Sequence, residues 1–158
     1  MGGKIKIKKT KIRSGEQIGT ITASTSSLKG IKIPASLSPY LIDEYPIISV
    51  AASRAKGTTY MKGLDELRYK ESDRIKSIVG MLKSFGVKAQ IKKNDITIYG
   101  SQTKKINCNN PVKVYSDHRI ALSASILGII SNNDVKLDDG GRSMVTSYPN
   151  FKNDLKKL

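Results

Sequence analysis

The sequence predicts an α/β (α+β) chain of repeated βαβαββ-like modules, with buried helices and outer sheets. Three observations predict it. Apolar spacing alternates between the period of two typical of strands and the three-to-four spacing of helices. Two helical stretches carry small residues on one face (Ala51, Ala52 and Ala55; Ala121, Ser125 and Gly128), which lets helices pack closely at the centre. The same order of parts also occurs twice: an acidic start, an Ala/Ser-rich helix, a turn, a short strand and a polar cluster, first at 68–74 and then at 140–146. About two modules are expected, 1–104 and 105–158.

Residues 4–11 alternate Lys with Ile, the pattern of a strand with one buried face, and the chain turns near Ser14-Gly15. Residues 17–23 give a second strand and 28–33 a third, closed by Pro34. Pro34 and Pro39 bracket a loop, because the residue before proline avoids helix. From Ile42 the spacing turns helical through Ile47, Val50, Ala51 and Ala55, with Asp43-Glu44 at the start and Gly57 as the stop. Residues 58–61 are β-prone. Ile75, Ile78, Val79, Leu82 and Phe85 form an apolar helical stripe, with Ser72 or Asp73 as N-cap and Gly86 as terminator. Strands at 87–92 and 95–99 flank a Lys93-Asn94 turn. A short strand at 112–115, a helix at 119–130 ended by Asn132-Asn133, a strand at 135–137 and a helix at 148–158 complete the chain.

Composition excludes more than it identifies. No apolar run approaches the roughly 18 residues of a membrane span. The start of the chain lacks an apolar signal-peptide stretch. Cys108 is the single cysteine, so an internal disulfide or cysteine metal site is excluded and a reducing cytoplasm is expected. The net charge of +15 admits a polyanion partner or small anionic substrates. Six of the cations are Arg (Arg13, Arg54, Arg68, Arg74, Arg119, Arg142), the rest Lys spread over the whole chain. Nucleic-acid binding needs clustered cations and stacking aromatics on one face, which this dispersal does not offer.

Four segments carry candidate chemistry. In Arg68-Tyr69-Lys70-Glu71-Ser72-Asp73-Arg74, dense charge precedes a helix, and Lys70, Arg74 and backbone N–H groups at the helix start would make an anion site. Glu71 beside those cations suits proton transfer; a capped surface loop with local ion pairs is the plainer alternative. Tyr115-Ser116-Asp117-His118-Arg119 holds the single His beside an Arg at another helix start. Asp43 or Glu44 is a candidate base, although acids also favour first helical turns. Asp138-Asp139-Gly140-Gly141-Arg142-Ser143 reads as a tight loop.

The runs Lys70-Glu71-Ser72-Asp73-Arg74-Ile75 and Ser116-Asp117-His118-Arg119-Ile120-Ala121 resemble signature stretches of 5-enolpyruvylshikimate-3-phosphate synthases. Ile42-Asp43-Glu44-Tyr45-Pro46 and Thr146-Ser147-Tyr148-Pro149-Asn150-Phe151 are similar to two further landmarks of that family, in the same order. The resemblance implies an enolpyruvyl transferase-like inside-out α/β barrel, of which this chain is the C-terminal part of the second domain. It implies transfer of a carboxyvinyl group from phosphoenolpyruvate to the 5-hydroxyl of shikimate 3-phosphate, without metal or cofactor. It implies further that Asp43 takes the acceptor proton, Lys70 lies between the substrates, and Glu71 protonates the donor methylene. Arg74 and Arg119 would clamp the donor, with His118 as a neighbour of secondary role. The expected partners are the two substrates and an N-terminal domain supplied in cis or trans; no nucleic acid or membrane is expected, and the full-length protein would be a monomer. The chain alone is expected to be inactive. Thr146 stands where many members carry Lys, and this departure resembles the family's second class. Within the same fold, a transferase acting on UDP-N-acetylglucosamine is the nearest alternative; outside it, a non-catalytic basic binding module.

Overall fold

In a computed structural model, which describes residues 1–108 and 110–157, the chain opens with a hairpin of β1 (Lys4–Arg13) and β2 (Glu16–Ser24). Ser14 and Gly15, both at positive φ, make its turn. Every residue of both strands is exposed, which corrects the expected half-buried pattern. Ile5, Ile7 and Ile21 are each at least 62% exposed. Alternation gave the strands their sidedness, but no helix among the described residues lies over the apolar side.

The second sheet is mixed, in the order β3 (Lys32–Ile33), β4 (Gly57–Met61), β6 (Asp95–Gly100), β5 (Ala89–Lys92). β3 runs parallel to β4, and the other pairs are antiparallel. Thr59, Met61, Ile96 and Ile98 point inward at alternate positions, whereas Tyr60 and Tyr99 face out, as the pleat demands. The expected strand at 28–33 shrinks to β3 and a bridge between Lys29 and Lys56. Gly30 explains the break: its backbone lies so close to that of Thr58 that a side chain would have no room.

Helices cover the inner face. α1 (Ser38–Leu41) and α2 (Tyr45–Ser53) replace the single helix expected from Ile42, and Pro39 and Pro46 sit in their first turns, where a missing N–H costs nothing. Pro39 therefore begins a helix rather than closing a loop. α3 (Arg74–Ser84) buries Ile75, Ile78, Val79 and Leu82 as its stripe predicts, and Gly86 at φ 71° follows its end. α4 (His118–Ile130) buries Ile120, Ala121, Ala124 and Leu127 and packs on α2, α3 and the short helix at Arg142–Ser147. These residues join Tyr45, Met61, Leu64, Leu67 and Phe85 in one core.

The strands expected at 112–115 and 135–137 reduce to one parallel bridge, Val112 with Leu137. The ladder stops because the Asp138 carboxylate takes the Val114 N–H at 2.9 Å, and Tyr115 and Ser116 then turn into the left-handed region at φ 53° and 56°. α5 (Arg142–Ser147), absent from the sequence reading, follows Gly140 and Gly141, both at positive φ. The last helix, α6 (Phe151–Leu155), is shorter than the expected 148–158; residue 158 lies outside the described residues.

Candidate active site

The site forms where the starts of α3 and α4 meet the turn between α1 and α2. A 3-10 turn, Asp65–Tyr69, leads into α3 and is anchored by Leu67, which is fully buried. Arg68 then ties the loop down, donating from Nε to Asn94 (2.8 Å), from Nη2 to the Lys93 carbonyl (2.7 Å) and from Nη1 to Asp73 (3.1 Å). Asp73 caps α3 by accepting from the Lys76 N–H. Ser72, the other cap candidate, donates instead to Asp117 at 3.0 Å.

Arg74 is the hub. Its side chain is 0% exposed and meets three carboxylates. Nη1 donates to Asp43 at 2.8 Å, Nη2 to Glu71 at 2.5 Å, and Nε to Asp117 at 2.8 Å. Burial works against its charge, but the hydrogen bond and charge of Asp117, with Glu71 and Asp43, outweigh burial and hold the guanidinium above its ordinary value. Such an arginine stays charged at any pH where the protein is folded.

Around it, the other predicted residues converge. Lys70 lies 3.4 Å from Asp43. Arg119 donates to the Asp43 carbonyl at 2.8 Å and to Glu44 at 3.0 Å, with its second Nη 3.9 Å from the Asp43 carboxylate. Partial burial pushes the Asp43 carboxyl up, but donation from Arg74 and the charges of Lys70 and Arg119 prevail and hold it below the usual carboxylate range. Asp43 therefore occupies the turn before α2, not its first turn, so helix-dipole preference does not explain it. His118 opens α4 half-buried and, among the described residues, makes no hydrogen bond or ion pair with the cluster.

Two features were not foreseen. The helix-start N–H groups expected to bind an anion are partly taken by the protein: Asp73 accepts at α3, and Asp117 accepts from the Arg119 and Ile120 N–H groups at α4. And Asp117, buried completely, joins both signature segments. Its only sequence signal was an Asp just before a helix. Beside Arg119 a cleft of about 240 Å³ has an apolar wall of Leu122, Ile126 and Phe151 and a polar rim of Asp43 and Glu44. A hollow at the Met61 end of β4, beside the β5–β6 turn and lined in part by Lys62, Lys92 and Lys93, holds none of these residues. Thr146 donates to the Ser143 carbonyl within α5.

What the arrangement offers chemically is a set of forked cations beside exposed carboxylates: Asp43 and Glu71 keep 41% and 48% of their side chains exposed, Lys70 and Arg119 30% and 34%. Anion binding and proton transfer at adjacent points are within its means. The family model for EPSP synthase (3-phosphoshikimate 1-carboxyvinyltransferase) matches residues 1–155. The chain belongs to the EPSP synthase family. A 3-phosphoshikimate 1-carboxyvinyltransferase of Petrotoga mobilis is 39% identical over 158 residues, covering 100% of this chain and 36% of that protein. One of Clostridium tetani is 41% identical over 153 residues, 97% of this chain and 34% of the relative. Among solved structures, an EPSP synthase of Acinetobacter baumannii superposes with a TM-score of 0.89 at 31% identity, covering 98% of this chain and 36% of that one. The α/β class is thus shared with EPSP synthases, and the chain spans about a third of the length of the relatives it matches. No helix of the described residues is long and apolar enough to cross a membrane.

Proposed function

We propose that this chain supplies the donor clamp and the proton-transfer groups for moving the carboxyvinyl group of phosphoenolpyruvate to the 5-hydroxyl of shikimate 3-phosphate. The observation that carries this reading is the convergence of Asp43, Lys70, Glu71, Arg74 and Arg119, from three distant segments, within hydrogen-bonding or ion-pairing reach of one another. The reaction adds an alcohol oxygen to the substituted enol carbon and a proton to the methylene. Loss of a proton from the methyl group so formed, together with phosphate, then restores the double bond. One group must take a proton and another must give one.

Asp43 is assigned the acceptor hydroxyl proton, Glu71 the methylene, and Lys70 the reacting oxygen between them. Arg74 and Arg119 hold the carboxylate and phosphate of the donor, and His118 has a secondary part beside them. The lowered pKa of Asp43 makes it a weak base while Arg74, Lys70 and Arg119 surround it. A donor anion that draws those cations away would let the Asp43 carboxyl rise toward its ordinary value, so base strength would appear only with donor bound. The residues form two modules, 1–104 and 105–158, of a second domain; the grip on the acceptor phosphate is assigned to the N-terminal part of the longer relatives.

The test is reconstitution. The chain is mixed with the N-terminal two-thirds of the Petrotoga mobilis relative, and phosphate release is followed with both substrates. Release that needs both polypeptides is expected, and Glu71→Gln should lower it at least 100-fold. A complex that forms and releases no phosphate would overturn the assignment.

A further inference from the structure

Arg74 has three carboxylate partners of two kinds. Asp43 and Glu71 reach it from the solvent side with half-exposed side chains. Asp117 reaches it from inside, with both side chains at 0% exposure. An anion arriving from solvent can displace the first two, because each regains water. It cannot displace Asp117 without leaving a buried, uncompensated charge. Asp117 is also fixed from several sides. Oδ2 accepts from Arg74 Nε and from Ser72 Oγ (3.0 Å), and Oδ1 accepts from the Arg119 N–H (3.0 Å) and the Ile120 N–H (3.4 Å). One carboxylate thereby sets the guanidinium of Arg74 and the backbone of Arg119, the two arginines of the donor clamp. Tyr115 and Ser116, consecutive at positive φ, deliver it there.

We propose that Asp117 is the positioning residue of the clamp, the permanent counter-ion that aims Arg74 and Arg119, while Asp43 and Glu71 are exchangeable occupants of the donor's place. The proposal rests on the donor reading above, and it makes an unusual sign prediction. Removing a negative charge ordinarily strengthens anion binding. Glu71→Gln should follow that rule and bind phosphoenolpyruvate as tightly as the parent chain or more so. Asp117→Asn should break it and bind at least tenfold more weakly.

The experiment titrates phosphoenolpyruvate into the 158-residue chain and its variants by ³¹P NMR, at a temperature where circular dichroism shows each folded. The hydrogen exchange of the Arg74 Nε–H is recorded in the same samples. Opposite effects of the two substitutions, with Nε–H protection lost only in Asp117→Asn, support the proposal. Tighter binding by Asp117→Asn, or unchanged Nε–H protection, overturns it. If Asp117→Asn does not fold, Ser72→Ala removes one bond to the same oxygen and should weaken binding two- to fivefold; no change there overturns the proposal. A parent chain that binds no phosphoenolpyruvate refutes the donor reading instead, and Nε–H exchange then decides the role of Asp117 by itself.

Discussion

The hairpin β1–β2 and the junction of α3 with α4 use charge in opposite ways. β1 alone carries six cations in ten residues, all exposed and spaced along a strand. The junction has three cations, Lys70, Arg74 and Arg119, facing four carboxylates, with one arginine and one aspartate fully buried. The hairpin has twice as many cations, but all are exposed, its one arginine fork, Arg13, included; the junction is nearly neutral and sets two arginine forks among carboxylates. Net charge is therefore a poor guide to function in this chain, and desolvated geometry a better one.

Arg74→Met should break the junction most severely. It leaves three carboxylates facing one another, one of them buried, and is expected to cost about 3–5 kcal/mol of stability in urea unfolding. A loss near zero would mean that the cluster is no more coupled than the hairpin. Acid should act next, and more gently. The folded-state pKa of Asp43 lies below the ordinary 3.8, so its contribution is present above about pH 4 and fades as pH falls through the lowered value. Asp139 adds in the same direction: burial opposes its charge, but donation from the backbone N–H groups of Ser143 and Gly141, with the charge of Arg142, prevails. A melting temperature that falls between pH 5 and pH 3, less steeply in Asp43→Asn, is expected. The smallest effect belongs to the hairpin. Ile7→Thr, at a residue 67% exposed, should change stability by less than about 0.5 kcal/mol in the same denaturation measurement.

How far the sequence could be read follows the same division. Local signals were legible: the stripe from Ile75 to Phe85, the Asp73 cap and the Gly86 stop specify α3 from a dozen neighbouring residues. The candidate site residues stood out as types and through a resemblance to a family. Their pairing was not. Whether Asp117 serves as a cap or as the partner of Arg74 depends on a contact across 43 positions, and no spacing rule reaches that far. Arg68 looked like site chemistry, yet it serves the loop through Asn94 and Lys93, partners supplied by the β5–β6 turn. The hairpin failed in the other direction: its Lys/Ile alternation correctly gave strands, but alternation cannot say whether anything covers the apolar side. α5 was missed because Gly140-Gly141 reads as a turn, and six residues give too little periodicity to reveal the helix beyond it.

The contrast between the two regions can be tested in one titration. Phosphoenolpyruvate affinity is compared in the parent chain, in Arg119→Gln, which loses one charge from the junction, and in Lys6→Gln/Lys8→Gln, which loses two from the hairpin. The account predicts about tenfold weaker binding for Arg119→Gln, the loss of a charged hydrogen-bonding fork, and a change within about twofold for the hairpin double variant. Equal losses, or a larger loss in the hairpin variant, would contradict it and return the anion affinity to the overall charge of the chain.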